Sequence, residues 1–140
     1  MIIFQSDDPC EHARAAVRTA LAIREKTQHI NAELAGASAP VTVNMGINSG
    51  TAAVGSTRFE SATGTRWTFT ASGPVTNLAA RIGASVTAGA IYVGTETARR
   101  LGEDVQLRDL GPQEFKNVRE PVVVYEVLAQ RALEEMVSVC

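Results

Sequence analysis

The dipeptide Gly73-Pro74 separates a strand pattern from a helix pattern, and this change of period constrains the fold more than any other feature. Before it, Trp67, Phe69 and Ala71 alternate with small polar residues, which is the two-residue period of a half-buried strand. After it, apolar residues return every three or four positions, which is the period of a helix. Proline suits the first helical position because it has no N–H group to leave unsatisfied. The segment therefore predicts a strand, a tight turn and a helix in direct succession.

The same change of period recurs along the 140-residue chain, so helices and strands are predicted in alternation. Strands are predicted over residues 1–5, 41–47, 51–54, 67–72, 90–93, 105–110 and 122–127, and helices over 9–34, 75–82, 96–101 and 129–137. Asp8 is the expected N-cap of the first helix, and Thr95 that of the third. Residues 51–54 are expected to pair with 41–47 as a hairpin, and residues 55–66 to form a polar loop. This order predicts an α+β sandwich in which helices pack on a mostly antiparallel sheet.

Composition excludes several classes of protein. With 45% hydrophobic and 20% charged residues, the chain resembles a globular domain and not a disordered one. Its net charge of -2 gives no general attraction to nucleic acid or to an anionic membrane, so neither is expected as a partner. No apolar run approaches the ~20 residues of a membrane span, and the start lacks the basic segment of a signal peptide. A cytoplasmic location is therefore expected, with Cys10 and Cys140 as two unrelated free thiols.

Asn77 and Arg81 are the first candidates for chemistry. They lie four residues apart in the predicted helix and so share one helix face, while Leu78 and Ile82 point to the core. An arginine suits phosphate because its planar donors bind two oxygens at once and because it stays protonated. Such a pair could stabilise charge on a reacting phosphoryl group. The alternative is structural, since an asparagine and an arginine one turn apart are common on solvated helices.

The segment that holds this pair resembles a signature of the class III nucleotide cyclases, the adenylate/guanylate cyclase family. In that signature a strand and a glycine turn lead into V-N-x-A-x-R, and residues 68–81 read T-F-T-A-S-G-P-V-T-N-L-A-A-R. Residues 115–127, F-K-N-V-R-E-P-V-V-V-Y-E-V, resemble the family's closing L-K-G-x-x-E-P-V-x-V-Y-E-V. Residues 1–4, 43–50 and 90–93 resemble further family segments, and all five occur in the family's order.

This resemblance implies a fold and a domain organisation. The fold is the ferredoxin-like α+β sandwich of class III cyclases, N-terminally truncated, because the match begins just after the family's metal-binding hairpin. Residues 1–127 are then a partial catalytic domain, and residues 128–140 a C-terminal helical tail. The family's first strand is central in its sheet, so two strand edges are expected to lack partners and the isolated chain to be weakly stable.

The resemblance also implies an activity and a set of site residues. Family members convert a nucleoside triphosphate to a 3′,5′-cyclic nucleotide and pyrophosphate, in head-to-tail dimers with shared active sites. Asn77 matches the asparagine that orients the ribose, Arg81 the transition-state arginine and Lys116 the phosphate-binding lysine. Thr70 matches a purine-selecting position and mildly favours ATP over GTP, since threonine can donate or accept a hydrogen bond. The structural alternatives are a solvated loop lysine for Lys116 and a plain strand threonine for Thr70.

The sequence departs from the family pattern at several positions. Pro74, Val75 and Thr76 replace the family's usual residues in the turn before the asparagine, which is expected to alter how that amide is presented. Asn117 replaces the glycine after the lysine, and Asn48 replaces the histidine of G-I-H. Both asparagines are expected to be tolerated.

The largest departure concerns metal. The resemblance implies Mg2+ or Mn2+ held by two aspartates, and both lie in the part of the family domain that precedes this match. Asp7 and Asp8 follow the first predicted strand and are expected to cap the helix instead. No metal site is therefore expected in this chain, and its isolated form should be inactive because the ribose 3′-hydroxyl is not activated.

Two functions are consistent with these observations. One is a fragment of an active cyclase that binds a nucleoside triphosphate, ATP favoured, as a homodimer or with a full-length cyclase. The other is a degenerate, non-catalytic cyclase homologue that acts as a dimerisation or regulatory partner. A ferredoxin-like binding module unrelated to cyclases is a third class, but it leaves the five ordered segments unexplained.

Overall fold

The computed structural model describes residues 1–131, and this part of the chain contains three helices, a four-stranded sheet and a two-stranded hairpin. In chain order the elements are α1 (Pro9–Glu33), β1 (Met45–Ile47), β2 (Ala53–Ser61), β3 (Gly64–Ser72), α2 (Pro74–Ser85), β4 (Ile91–Gly94), α3 (Thr95–Leu101), β5 (Val105–Gln113) and β6 (Val122–Gln130). The predicted α+β class is confirmed. Within the described residues, no helix is long and apolar enough to cross a membrane.

The main sheet has the strand order β1-β4-β6-β5. β1 runs parallel to β4, whereas β6 pairs antiparallel with both β4 and β5, so the sheet is mixed and mostly antiparallel, as expected. In the described part of the chain β4 is the single partner of β1, and the other edge of β1 is open. The weak stability expected from open strand edges stays a prediction.

α1 covers one face of this sheet because its small apolar residues recur at helical spacing. Ala13, Val17 and Ala20 are buried in a core with residues of α3, β4, β5 and β6. The helix begins as predicted, since the Asp8 carboxylate accepts a hydrogen bond from the Cys10 amide at 2.8 Å and a proline occupies the first helical position.

Two half-buried arginines fasten α1 to the strands that end the described chain. Arg24 donates to the carbonyl oxygens of Val127 at 3.1 Å and Leu128 at 2.8 Å, so it holds β6. Arg14 forms an ion pair with Asp104, directly before β5. These contacts set the position of α1 along the sheet in addition to its apolar packing.

α2 packs on the face of the sheet opposite to α1. Successive strand residues point to opposite sides of a sheet, so neighbouring residues of β4 contact different helices. Ile91 and Val93 of β4 point to the core beneath α1, whereas Gly94 faces Ile82 of α2. Ile82 is fully buried and is the main apolar anchor of this helix.

The strand predicted at residues 1–5 is absent, and its first two residues are exposed. That prediction was wrong because an apolar run forms a strand only beside a hydrogen-bonding partner, and no described strand lies next to this one. Residues 41–44 lie outside β1. There the side chain of Asn31 replaces sheet pairing with two hydrogen bonds to the main chain of Val41, each at 2.8 Å.

The predicted loop at residues 55–66 is instead the greater part of a β-hairpin. β2 and β3 pair antiparallel along their whole length, so β2 takes β3 as its partner and not residues 41–47. Gly64, at a φ of +138°, closes the turn that follows Ser61. The loop prediction failed because these residues are polar, yet threonine and serine are compatible with a strand that is exposed on both faces.

Two boundaries also need correction. α3 has Gly94 as its N-cap and not Thr95, whose hydroxyl donates to the Val123 carbonyl oxygen at 2.9 Å instead. Residues 128–130 extend β6 because β5 supplies a pairing partner that far, so they are not part of the predicted helical tail. Arg131 follows β6 outside any helix or strand, and the rest of that tail, residues 132–140, lies outside the described residues.

Cys10 is disulfide-bonded in the structure, so the expectation of a free thiol is wrong at this position. The distance between two cysteines along a chain does not determine the spatial surroundings of either one, and disulfide formation depends on those surroundings. Cys140 lies outside the described residues.

Candidate active site

The turn before α2 sets the position of Asn77. Gly73 has a φ of +127°, a conformation that favours glycine, and its carbonyl oxygen accepts hydrogen bonds from the amides of Thr76 and Asn77, each at 3.2 Å. Pro74 is then the first residue of α2. The departures from the family pattern at residues 74–76 therefore form a regular first helical turn, with Asn77 exposed at its end.

Arg81 lies one turn further along α2 and is also exposed. The buried side of the helix fixes its height above the sheet, because a Cβ atom built on Gly46 would lie 2.2 Å from the amide nitrogen of Gly83. Only glycine at position 46 permits so close an approach, so α2 lies directly on the backbone of β1. The positions of Asn77 and Arg81 above the sheet thus depend on a contact between main chains.

Asn48 braces the same end of α2. Its Nδ2 atom donates to the Val75 carbonyl oxygen at 3.1 Å, which joins the segment after β1 to the first turn of the helix. Its Oδ1 atom would lie 2.6 Å from a Cβ atom on Gly94, so the glycine there leaves room for this side chain. The asparagine expected to be tolerated in place of a histidine therefore makes a specific positioning contact.

Lys116 lies in the connection between β5 and β6. The Val118 amide donates to the Phe115 carbonyl oxygen at 3.1 Å, and Asn117 has a φ of +65°. A positive φ at the third position is typical of a type II turn, which favours glycine and also accepts asparagine. The family glycine can therefore be replaced by asparagine without a change of turn, and the exposed Lys116 keeps its place beside it.

One cleft of about 850 Å³ collects the start of α2, the end of β1, the start of α3 and the turn at residues 115–118. Asn77, Arg81 and Lys116, which were predicted from separate parts of the sequence, all line it. Thr70 does not line it. This threonine lies on β3, where its hydroxyl donates to the Ala71 carbonyl oxygen at 3.3 Å.

Three further residues of the cleft were not singled out from the sequence: Ser49, Glu96 and Arg119. Ser49 shares a hydrogen bond of 2.8 Å with the hydroxyl of the buried Thr97, which links the end of β1 to α3. Arg119 occupies a position that the closing family motif leaves open, so comparison with the motif carried no signal for it. A cation three residues after a predicted phosphate-binding lysine was the one feature that could have indicated it.

Three cationic side chains line the cleft, namely Arg81, Lys116 and Arg119. None of the three forms an ion pair within residues 1–131. Unpaired cations in a cleft attract anions, because the low-dielectric walls concentrate the electric field. The arrangement is therefore suited to a polyphosphate, with the Asn77 amide available as a donor or acceptor for a neighbouring hydroxyl.

Glu96 is an acidic residue of the same lining, but its charge is offset on its own helix. Arg99 and Arg100 contact its carboxylate at 2.7 and 2.8 Å. Hydrogen bonds from Arg99 and then from Arg100 lower the pKa of Glu96 from 4.5 to about 2. Glu96 therefore stays ionised and paired at neutral pH, and it forms no ion pair with any of the three cations of the cleft.

Comparison with known proteins identifies the family of this chain. A sequence model of the adenylate and guanylate cyclase catalytic domain matches residues 1–129. The chain belongs to this cyclase family. The adenylyl cyclase CyaB from P. aeruginosa superimposes with a TM-score of 0.78 and 29% identity, over 91% of this chain and 64% of that chain. The recognition of a class III cyclase domain and of its fold is thereby confirmed.

Other solved cyclases have the same fold. The guanylyl cyclase Cya2 superimposes with a TM-score of 0.65 and 27% identity, over 94% of this chain and 64% of that chain. The guanylate cyclase domain of RhGC from Catenaria anguillulae, in complex with GTP, has a TM-score of 0.65 and 23% identity, over 86% and 62%. This cyclase-family chain thus spans less than two thirds of each of these structures. No curated protein sequence matches it.

The described residues of this cyclase domain do not fit a divalent metal ion. Between residues 1 and 131, no group of three or more His, Cys, Asp or Glu side chains could hold one. Asp8 caps α1 and Glu96 is engaged by two arginines, so neither carboxylate is available as a ligand.

Proposed function

We propose that this chain supplies the phosphate-binding half of a nucleotide cyclase active site, which converts ATP, and less favourably GTP, to a 3′,5′-cyclic nucleotide and pyrophosphate in intracellular signalling. The observation that carries the proposal is the convergence of Asn77, Arg81 and Lys116 on one cleft. Membership of the cyclase family supports it. Two structures of similar fold hold nucleotides: the RhGC domain holds GTP, and the catalytic core of a rhodopsin-guanylyl cyclase with converted specificity holds ATPalphaS. Both complexes support a nucleotide as the ligand.

Each of the three side chains has a role that follows from its chemistry. The Arg81 guanidinium carries a planar set of donors that matches the equatorial oxygens of a phosphoryl group, so it is proposed to stabilise charge in the transition state. The Lys116 ammonium binds the phosphates as a point charge. The Asn77 amide, one turn before Arg81, orients the ribose.

Thr70 is proposed as the purine-selecting residue. Its hydroxyl can donate or accept, which suits adenine slightly better than guanine. Thr70 lies on β3, outside the cleft lining, so the proposed purine contact lies beyond the phosphate-binding residues. The preference for ATP therefore depends on a part of the molecule other than the phosphate-binding cleft.

A second cyclase chain is proposed to complete the site, because class III cyclases generally depend on divalent metal ions and the described residues do not fit one. We propose that Mg2+ or Mn2+ is held by carboxylates outside the described residues, supplied by a partner chain in a homodimer or by a full-length cyclase. A cytoplasmic location belongs to the same proposal.

The hairpin offers a surface for this pairing. Directly opposed residues of antiparallel strands share a face, so Val54, Trp67 and Phe69 lie together on one side of the hairpin. Trp67 is 65% exposed and Phe69 66% exposed. A two-stranded hairpin is marginal on its own, and a clustered apolar face of this kind marks an interaction site.

Complementation tests the proposed function. The purified chain alone, with Mn2+ and ATP or GTP, should form no cyclic nucleotide. It should restore product formation when mixed with a full-length class III cyclase whose own matching arginine has been replaced by alanine. Arg81→Ala in this chain should abolish the restoration, and Lys26→Ala on the exposed side of α1 should not.

The same experiment separates the alternative, a non-catalytic regulatory partner. If the two chains associate and the full-length enzyme changes activity, but Arg81→Ala has no effect, then the chain regulates without contributing to the site. That outcome would contradict the proposed catalytic role.

A further inference from the structure

Arg119 is the one cation of the cleft to which neither the family pattern nor the sequence analysis assigns a role. It lies one residue beyond the turn that presents Lys116, and it lines the same cleft. We infer that Arg119 is an additional binding residue for the polyphosphate of the nucleotide. The inference rests on the proposed function only in naming the nucleotide, because the underlying chemistry is recognition of a linear polyphosphate.

The first support is that most arginines of this domain donate to carboxylate or carbonyl groups of the protein itself. Six form ion pairs in the described chain: Arg14, Arg18, Arg58, Arg99, Arg100 and Arg108. Arg24 donates to two carbonyl oxygens of β6. In this fold, an arginine with a structural role therefore has an identifiable acceptor.

Arg119 differs from that set. Its side chain is exposed, and it makes no ion pair or side-chain hydrogen bond among the described residues, even though Glu120 follows it in sequence. An exposed arginine without an interaction partner contributes little to the stability of the folded state. Its place in the cleft is therefore not explained by the stability of the domain.

The second support is the presence of two other unpaired cations in the same cleft. Lys116 on the same connection and Arg81 on α2 line the cleft as well, and neither is neutralised within residues 1–131. Like charges that share a cleft repel one another, so an anion that binds among them relieves this repulsion. Glu96 does not supply that anion because Arg99 and Arg100 already engage it.

The third support is the geometry of the turn. Asn117, with its φ of +65°, reverses the chain between Lys116 and Arg119 so that both residues reach one cleft from a single short connection. A lysine ammonium binds as a point charge and a guanidinium binds two oxygens at once, so the pair can grip neighbouring phosphates in different ways. Arg81, on α2, is left to act on the reacting phosphoryl group.

Calorimetric binding of inorganic tripolyphosphate to the full chain tests the inference directly. We expect Arg119→Ala to weaken binding about tenfold, which is the size of one charge-assisted hydrogen bond. Arg119→Lys should lose about threefold, because it keeps the charge but not the fork. Lys26→Ala is the matched control, since it removes an exposed cation outside the cleft, and it should change binding by less than about twofold.

The outcomes are distinct. If Arg119→Ala behaves like Lys26→Ala while Lys116→Ala weakens binding, Arg119 is not a ligand and the inference is wrong. If wild-type chain fails to bind tripolyphosphate at all, the inference is also wrong, whatever the cyclase assay gives. If tripolyphosphate binds through Arg119 but complementation yields no cyclic nucleotide, the proposed function fails and the polyphosphate site remains.

Kinetics distinguish binding from catalysis, and ATP from free polyphosphate. In the complementation assay, Arg119→Ala should raise KM for ATP about tenfold and change kcat by less than about twofold, because the interaction is the same in ground and transition states. Arg81→Ala should lower kcat instead. A fall in kcat for Arg119→Ala with unchanged KM would overturn the assignment of a binding role.

Discussion

A Cβ atom built on Gly46 would lie 2.5 Å from the Cα atom of Gly83 and 2.9 Å from the carbonyl oxygen of Ala79, so β1 and α2 touch main chain to main chain. No rotamer change can relieve such an overlap, because the obstructing atoms belong to the backbone. The residues that line the cleft from α2 are held in place by this contact, and several of the expected outcomes below follow from it.

Gly46→Ala should destabilise the domain by about 2–3 kcal/mol, because an added methyl group forces α2 away from the sheet. Urea unfolding followed by circular dichroism would measure the change. Gly55→Ala is a matched control, since Gly55 also lies on a strand, β2, but has no atom within 4 Å of an added Cβ. Equal stability of the two variants would show that the close approach of β1 and α2 does not occur in solution.

Asn48→Ala should weaken tripolyphosphate binding about threefold and lower stability by about 1 kcal/mol, the contribution of a single hydrogen bond. The side chain holds the first turn of α2 through Val75 and so positions this helix, which carries the phosphate-binding Arg81. Asn31→Ala removes two hydrogen bonds to Val41 far from the cleft, and should lower stability without affecting binding. Loss of binding in both variants to the same degree would indicate a general effect of stability.

The turn beside Lys116 is sensitive to the residue at position 117. Asn117→Gly should keep or slightly improve stability, whereas Asn117→Val should cost about 1–2 kcal/mol, because a β-branched residue resists a φ of +65°. Thermal melts and tripolyphosphate titrations of both variants would test this, with binding expected to fall only for valine. Identical behaviour of the two variants would mean that the turn at residues 115–118 is not formed as described.

The ion pairs of Glu96 should make a small, acid-sensitive contribution to stability. Its pKa is lowered from 4.5 to about 2 in the folded chain, so the contribution is fully present above about pH 4.5 and is lost as the pH falls towards about 2. The Glu96 side chain is 37% exposed, so solvent screening limits the effect to about 1 kcal/mol or less.

Urea unfolding of wild type and Glu96→Gln at pH 7, 4 and 2.5 would measure this contribution. The difference in free energy of unfolding should be largest at pH 7 and shrink at pH 2.5. Glu114→Gln changes an exposed carboxylate that forms no ion pair in the described chain, and its difference should stay near zero throughout. A Glu96→Gln difference that grows towards acid would contradict the sign of the pKa change.

The exposed face of the hairpin should govern association with a second chain. Replacing Trp67 and Phe69 by threonine should reduce binding to a full-length cyclase at least tenfold, because both rings lie on the proposed pairing face. Phe59→Thr is the control, since Phe59 is also exposed but lies on the opposite face with Arg66. Sedimentation velocity of mixed chains would give the affinities, and equal effects of both replacements would show that this face is not the interface.

Features that depend on neighbouring residues could be predicted from the sequence. The start of α1 follows from Asp8 and the proline after it, and the helical spacing of Asn77 and Arg81 follows from the pattern after Gly73. Family resemblance added Lys116, which lies 35 residues from Arg81 in sequence (116 minus 81) and still lines the same cleft. The order of the family motifs thus predicted a site residue that hydrophobic periodicity alone does not indicate.

Features that depend on distant partners could not be predicted in this way. The strand pattern of residues 1–5 is genuine, but strand formation needs a neighbour that the pattern cannot reveal. The separation of Thr70 from the cleft depends on where the hairpin projects, which is decided by its pairing and not by its own residues. Arg119 was missed because the family motif leaves its position open, and its spacing from Lys116 gains weight only once the structure places both in one cleft.

The glycine contact between β1 and α2 also shapes how this domain can diverge. Position 46 of β1 is closed to substitution, because even a methyl group there would overlap the backbone of α2, while the side of α2 that bears Asn77 and Arg81 faces solvent. Selection for the fold is therefore expected to act on position 46, and selection for ligand binding on the exposed side of α2. The two constraints fall on different residues, so ligand recognition can change without a change of the scaffold.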